Sequence, residues 1–264
     1  MKLVRSPHSK GKVYLVGAGP GDPGLLTIKA AALLKAADCV IYDYLVNPAI
    51  LSYAASQSEK LYVGKSGGGR SWKQDDINRL MIAKANEHRL VVRLKGGDPF
   101  IFGRGGEEAL ALVEAGIEWE VVPGVTAGSA VAAYAGIPVT HRGVSSSVAF
   151  VTGHETAANL STNQRWEHLA KGVDTLVFFM GVANVGDIAE QLIQHGRAAT
   201  TPVALVRWGS YDVQEVYVSD LTNIAALVER KNVKAPALIV VGEVVHLREQ
   251  LNWFTATVAQ ALAA

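Results

Sequence analysis

Apolar residues along this chain fall into short continuous runs separated by stretches of helical spacing. Lys12–Val16, Cys39–Tyr42, Lys60–Val63, Arg89–Leu94 and Trp119–Val122 have strand length and are rich in valine, isoleucine and leucine. Between them, apolar positions recur three and four residues apart over Thr27–Ala37, Gln74–His88 and Gly105–Ala115, and Asn47-Pro48 opens a short helix ending near Tyr53. Apolar strands alternating with helices predict a mostly parallel, five-stranded sheet. The small-residue run Val125–Gly136 reads as a further helix, and Ile137-Pro138 marks a boundary. Beyond it, Ser147–Thr152, Thr175–Met180, Val203–Trp208, Gln214–Val218 and Leu238–Val241 read as strands, with helices at Asn163–Ala170, Asn184–His195 and Leu221–Lys231. Only Gly209–Val213 separates two of these strands, so they should pair as a hairpin and make the second sheet mixed. The expected architecture is therefore α/β, with one α/β domain over residues 12–136 and another over 137–254.

Charge and composition narrow the classes of partner. The 25 Lys and Arg balance 24 Asp and Glu, so no global field favours nucleic acid or an acidic membrane. No aromatic-basic stripe argues for RNA either. No apolar run approaches the roughly 20 residues that span a bilayer, and the basic start Met1–Lys10 reads as a tail. The only cysteine is Cys39, which excludes internal disulfides and cysteine clusters and points to a reducing, cytoplasmic compartment. No histidine stands at ligand spacing from a carboxylate or from Cys39, so no metal site is expected.

Two glycine-rich turns carry the candidate chemistry. In Leu94–Glu108 an apolar strand runs through Gly96, Gly97, Asp98 and Pro99 into a helix start bearing Arg104 and Glu107. Such strand-to-helix turns are where ligands bind in open α/β sheets. The glycines admit close approach to the backbone, and Pro99 discourages helix at Asp98; a plain structural turn is the alternative. Gly19–Gly24 satisfies the dinucleotide fingerprint in letters, with Asp38 and Asp43 downstream, and so raises a nicotinamide- or flavin-dependent oxidoreductase. Against it, Pro20 and Pro23 delete two backbone N–H groups from the loop that should cradle a pyrophosphate. The Gly64–Trp72 segment and its flank add Lys65, Arg70 and Lys73 as a basic loop, either solvated or lining a site.

The run Val16–Ala30, with its Gly-Ala-Gly-Pro-Gly-Asp-Pro-Gly core, and the Gly-Gly-Asp-Pro-Phe core of Val91–Gly124 together resemble the tetrapyrrole methylase family. The likeness continues in order through Tyr42-Asp43, Gln74–Asn78, Pro123–Ala127, Thr140–Val144, Phe178–Gly181 and Pro236–Glu243. It implies two α/β domains, a homodimer, and S-adenosylmethionine held in the cleft between the domains. Carried over residue by residue, the cofactor contacts would be Pro20, Gly96, Gly97, Asp98, Thr126, Ala127, Met180 and Ala237. Small residues suit the adenosine and methionine portions, and the Asp98 carboxylate would offset cationic groups.

The resemblance further implies a tetrapyrrole acceptor, uroporphyrinogen III, methylated at C2 and C7 to precorrin-2, a precursor of both cobalamin and sirohaem. A macrocycle ringed by carboxylates calls for arginine forks. Arg104, Glu107 and Arg142 would line its site; for Arg104 and Glu107 the alternative is an exposed helical ion pair. Asp43, His141 and Tyr134 are weaker candidates. A pyrrole carbon would attack the sulfonium methyl group, leaving a cation that must lose a proton, and Glu107 is the expected acceptor. A sister methylase acting on a later corrin precursor and a non-catalytic tetrapyrrole-binding module are the competing readings.

Overall fold

A computed structural model describes residues 10–64, 72–153 and 163–255. Lys65 and Arg70 of the basic loop therefore lie outside the described residues. The chain divides into two compact units, Met1–Thr126 and Ala127–Ala264.

In the first unit, β1 (Lys12–Gly17), α1 (Ile28–Ala36), β2 (Cys39–Tyr42), β3 (Glu59–Tyr62), α2 (Gln74–Glu87), β4 (Leu90–Lys95), α3 (Gly105–Glu114) and β5 (Glu118–Val122) follow in order. The strands form one sheet in the order β3-β2-β4-β1-β5, every pairing parallel. Side chains alternate across it: Val13, Leu15, Ile41 and Val91 meet Met81 of α2 and Leu112 of α3, while Val16, Val40, Val92 and Leu94 meet Ala30 and Leu34 of α1. Both faces are covered, which is why the strands read as continuous apolar runs. Helix α1 starts where the Thr27 hydroxyl accepts from the Ala30 N–H at 3.1 Å. Asn47 caps the 3₁₀ turn Pro48–Tyr53, and its amide donates to Gly21 O at 2.7 Å, tying that turn to the first glycine loop.

The second unit holds α4 (Ala127–Tyr134), β6 (Val148–Thr152), α5 (Asn163–Gly172), β7 (Thr175–Phe179), α6 (Val185–Gln194), β8 (Pro202–Arg207), β9 (Glu215–Asp220), α7 (Ile224–Lys231) and β10 (Ala237–Val241). Its sheet order is β6-β7-β10-β8-β9. β6 runs parallel to β7, β10 is antiparallel to both neighbours, and β8 and β9 form the expected antiparallel pair. The sheet is mixed, as its sequence implies. Leu176, Phe178, Leu205 and Ile239 pack with Trp166, Ile188 and Ile224 from α5, α6 and α7; Val177, Ala204 and Val240 face Val131, Ala132 and Ala135.

Three boundaries differ from expectation. The units part between Thr126 and Ala127 rather than after Gly136, because the small residues of α4 bury themselves against the second sheet. β7 stops at Phe179 and β8 at Arg207, since Met180 and Trp208 take left-handed backbone (φ +56° and +47°) that cannot extend a strand.

Candidate active site

The carboxyl ends of β1, β4 and β5 meet backbone to backbone. Gly19 and Gly97 exchange hydrogen bonds at 3.2 and 2.7 Å, and Ala18 N donates to Lys95 O at 2.7 Å. A Cβ on Gly124 would lie 2.2 Å from Gly97 O, and one on Gly17 would lie 2.5 Å from Gly124 Cα, so no side chain fits where the three turns converge. Gly97 also sits at φ +66°. The result is a surface walled by main chain at the sheet edge where ligands of parallel α/β sheets bind. At Gly96 the space goes to protein instead, because a Cβ there would lie 2.6 Å from Leu45 Cβ.

Asp98 closes this junction. Its Oδ1 accepts from Phe100 N at 2.8 Å and its Oδ2 from Gly124 N at 3.0 Å. The carboxylate that the sequence offered to the cofactor's cations thus ties the turns after β4 and β5 together first. In the opposite loop, Asp22 Oδ1 accepts from Gly24 N at 2.7 Å and caps the 3₁₀ turn Pro23–Leu25. That takes an N–H a pyrophosphate would need. Asp38 precedes β2, at the far end of the strand, and accepts from Arg89 N and Leu90 N at 3.1 and 2.9 Å. The dinucleotide reading thus loses a phosphate donor at Gly24 and Asp38 as its ribose acceptor, while Asp43, after β2, is already paired with Arg93.

Beyond Pro99 the backbone is strained: Phe102 and Arg104 are left-handed at φ +50° and +56°. Non-glycine residues there cost about 1–2 kcal/mol each, and such strain collects at functional sites. Arg104 and Glu107, three residues apart, form the predicted pair, with Nε–Oε1 at 2.8 Å and Nη2–Oε2 at 2.7 Å. The pair is exposed. The Arg104 guanidinium holds the Glu107 carboxyl below the usual range, and both of its oxygens are engaged.

A buried charge cluster beneath these turns escaped sequence reasoning. Arg93, Lys95 and Glu108 are at most 4% exposed. Glu108 Oε1 accepts from Lys95 Nζ at 2.9 Å, Arg93 Nε at 3.1 Å and Gln74 Nε2 at 3.3 Å, while Arg93 Nη2 reaches Asp43 Oδ2 at 3.3 Å. The available signal was two cations at alternate positions of an otherwise apolar strand, with no partner on that strand. Desolvation pushes the Lys95 ammonium below its ordinary pKa.

In the second unit the corresponding strand ends carry Met180, Trp208 and Ala237. Leu238 pairs with Phe179, so Ala237 and Met180 stand side by side where β7 ends and β10 begins, and Trp208 N donates to Pro236 O at 3.3 Å. Met180 is 53% exposed on a left-handed residue, unusual for a methionine at the end of a buried strand. Trp208, stacked edge-on with Tyr211, was not foreseen. Arg142 lies exposed on the turn between His141 and Ser145, which pair as an isolated bridge. Thr126 and Ala127 end one unit and begin the other, and Pro20 is half-buried.

Folding also brings together residues whose spacing gave no metal signal: ligand atoms of Cys39, Glu59 and His88 lie within 4.8 Å of one another. Their chemistry is already satisfied. Glu59 Oε2 pairs with His88 Nε2 and with Lys84 Nζ, each at 3.0 Å, and the Cys39 thiol is pushed up to about 12 by burial. A protonated thiol and an ammonium on the carboxylate make a poor cation site.

A two-unit α/β chain with side-chain-free turns at the carboxyl edge of a parallel sheet belongs to the class that binds a small ligand at its strand ends. The family model described as Tetrapyrrole (Corrin/Porphyrin) Methylases matches residues 12–225, and the chain belongs to that family. It is 50% identical over 244 residues to the uroporphyrinogen-III C-methyltransferase of Bacillus subtilis, covering 92% of this chain and 95% of that one. It is 53% identical over 242 residues to an S-adenosyl-L-methionine-dependent uroporphyrinogen III methyltransferase of Methanosarcina barkeri, with the same coverage. Among solved structures, the uroporphyrin-III C-methyltransferase of Thermus thermophilus complexed with S-adenosylhomocysteine matches with a TM-score of 0.76 and 44% identity, over 90% of this chain and all of that one.

Proposed function

We propose that this chain transfers methyl groups from S-adenosylmethionine to C2 and C7 of uroporphyrinogen III, giving precorrin-2 and S-adenosylhomocysteine. The observation that carries the reading is about one-half identity, over nearly the whole of both chains, to relatives named for this reaction. S-adenosylmethionine supplies the electrophilic methyl group. The turns at Gly17, Gly97 and Gly124 support the reading by their place: they pack backbone on backbone at the carboxyl edge of the parallel sheet, where ligands of such sheets bind. Pro20, Gly96, Gly97 and Thr126 are the contacts proposed in the first unit, with Asp98 acting mainly through the turns it ties; Ala127, Met180 and Ala237 are those in the second.

Arg104 and Arg142 are proposed to take acceptor carboxylates, Arg104 through the guanidinium N–H groups that Glu107 does not hold. The proton leaving the methylated pyrrole has two candidate acceptors. Glu107 has both oxygens on Arg104, whereas Asp43, following β2 at the same sheet edge as the glycine turns, binds Arg93 through Oδ2 alone. That difference favours Asp43. The deciding experiment is incubation with labelled S-adenosylmethionine and freshly reduced uroporphyrinogen III; absence of label in a doubly methylated tetrapyrrole refutes the reading. Asp43→Asn should then lower kcat more than Glu107→Gln, and the reverse order would return the role to Glu107.

The reaction is placed in a reducing, cytoplasmic setting on the strength of a single buried cysteine. No helix among the described residues is long and apolar enough to cross a membrane. A homodimer is proposed because Phe100, Ile101, Phe102, Leu110 and Val113 expose large apolar side chains that a second copy would cover. Light scattering that returned a monomer would remove that part.

A further inference from the structure

Four ionised side chains, Asp43, Arg93, Lys95 and Glu108, make a cluster beneath the glycine turns, and three of them are essentially inaccessible to water. Burying ion pairs is expensive, and apolar residues of similar volume would pack the same space at lower cost. The arrangement is specific. Arg93 and Lys95 stand at alternate positions of β4 and so face the same side of the sheet. Glu108, fully buried in the first turn of α3, gathers both through a single oxygen, Oε1, and Gln74 of α2 joins them. Arg93 then spans to β2: Nη1 donates to Ile41 O at 3.5 Å and to Leu94 O at 3.3 Å, and Nη2 to Asp43 Oδ2 at 3.3 Å. Each element linked in this way ends at the candidate site, β4 at Gly96-Gly97, α3 at Arg104 and Glu107, and β2 at Asp43.

We infer that Glu108 is a positioning residue for methyl transfer, acting through Arg93 to hold the Asp43 carboxylate at the end of β2 and to key the first turn of α3 to the glycine turn of β4. The inference rests on the methyltransferase reading above. Glu108 touches no candidate ligand position itself, because it is buried and its Oε1 is occupied by three donors. Arginine suits the relay, since one rigid fork serves two carboxylates and two carbonyls together. Lysine at position 95 contributes a second cation to Glu108, which keeps the cluster electrically balanced at two positive and two negative groups.

A double-mutant cycle tests this on the intact protein. Glu108→Gln keeps the side-chain shape and should lower kcat by about 10- to 100-fold, the scale of a catalytic group displaced by about 1 Å. The tetrapyrrole KM and the Kd for S-adenosylhomocysteine should stay within about 3-fold. In an Asp43→Asn background the same change should cost less than about 3-fold, because the group it positions has gone. Losses that multiply, or S-adenosylhomocysteine binding lost in step with kcat, would overturn the inference. If Glu108→Gln fails to fold, Arg93→Lys keeps the charge but not the fork, and must show the same dependence on Asp43; wild-type turnover in Arg93→Lys also overturns it. The carboxyl ¹³C resonance of Asp43 should move in whichever of these variants folds, a readout independent of turnover. If wild type methylates no tetrapyrrole, the functional reading fails, and that resonance still decides whether the buried cluster reaches Asp43.

Discussion

Asp98 and Glu107 show how differently two carboxylates of one motif are used. Asp98 accepts from two backbone N–H groups on separate turns. Its replacement by alanine strands both, so Asp98→Ala should lose about 1–3 kcal/mol of stability and weaken S-adenosylhomocysteine binding. Denaturant unfolding beside calorimetric binding checks this; unchanged stability would return the carboxylate to direct contact with ligand. Glu107 is exposed, and its pairing with Arg104 holds its carboxyl below the ordinary range. The sign follows from linkage: the pair contributes above the unfolded carboxyl pKa and is lost as pH falls through the lower folded value. Solvent screening keeps that contribution to about 0.5 kcal/mol or less. Arg104→Ala should let Glu107 titrate nearer its usual value, as read by carboxyl NMR, and should weaken tetrapyrrole binding more than cofactor binding. An unmoved titration would show that the pair does not form in solution.

At the scale of elements, the glycine turns were legible, but their purposes were only half so. Gly96 and Gly97 mark a strand-to-helix turn in the sequence, and the structure has one there. What the sequence left open is whether a missing side chain makes room for ligand or for protein. Gly96 makes room for Leu45, and Gly124 for the backbone of Gly97 and Gly17. Gly124→Ala would force its Cβ onto Gly97 O, so it should destabilise the fold by about 1–3 kcal/mol and reduce S-adenosylhomocysteine affinity. Full affinity with normal stability would mean that the turns can part freely. The prolines of the first loop argued against a pyrophosphate on local grounds. The capping of Gly24 N by Asp22 and the placing of Asp38 at the wrong strand end add reasons that only assembled coordinates supply.

For the whole molecule, ligand binding and thiol chemistry give the most direct tests. A ligand that binds only the folded chain stabilises it by about 2.7 kcal/mol at 100 times its Kd. For a chain of this size that raises Tm by a few degrees. S-adenosylhomocysteine should do so and NADH should not; the opposite result would revive the oxidoreductase. With its thiol pushed up to about 12 by burial, Cys39 stays protonated at neutral pH. It should resist iodoacetamide in the native protein and react once unfolded. Rapid native alkylation would show that the sheet opens at β2.

The sequence by itself determined the strands and helices, the hairpin of the second sheet, the two glycine turns and the family. These depend on local periodicity, turn chemistry and the order of motifs, all carried by neighbouring residues. The tertiary structure alone decided which distant side chains meet. Arg93 finds Asp43 fifty positions away because β2 and β4 are adjacent in the sheet, and it finds Glu108 because α3 packs on that same face. Strand order and helix packing set those meetings, and neither is written in any local pattern.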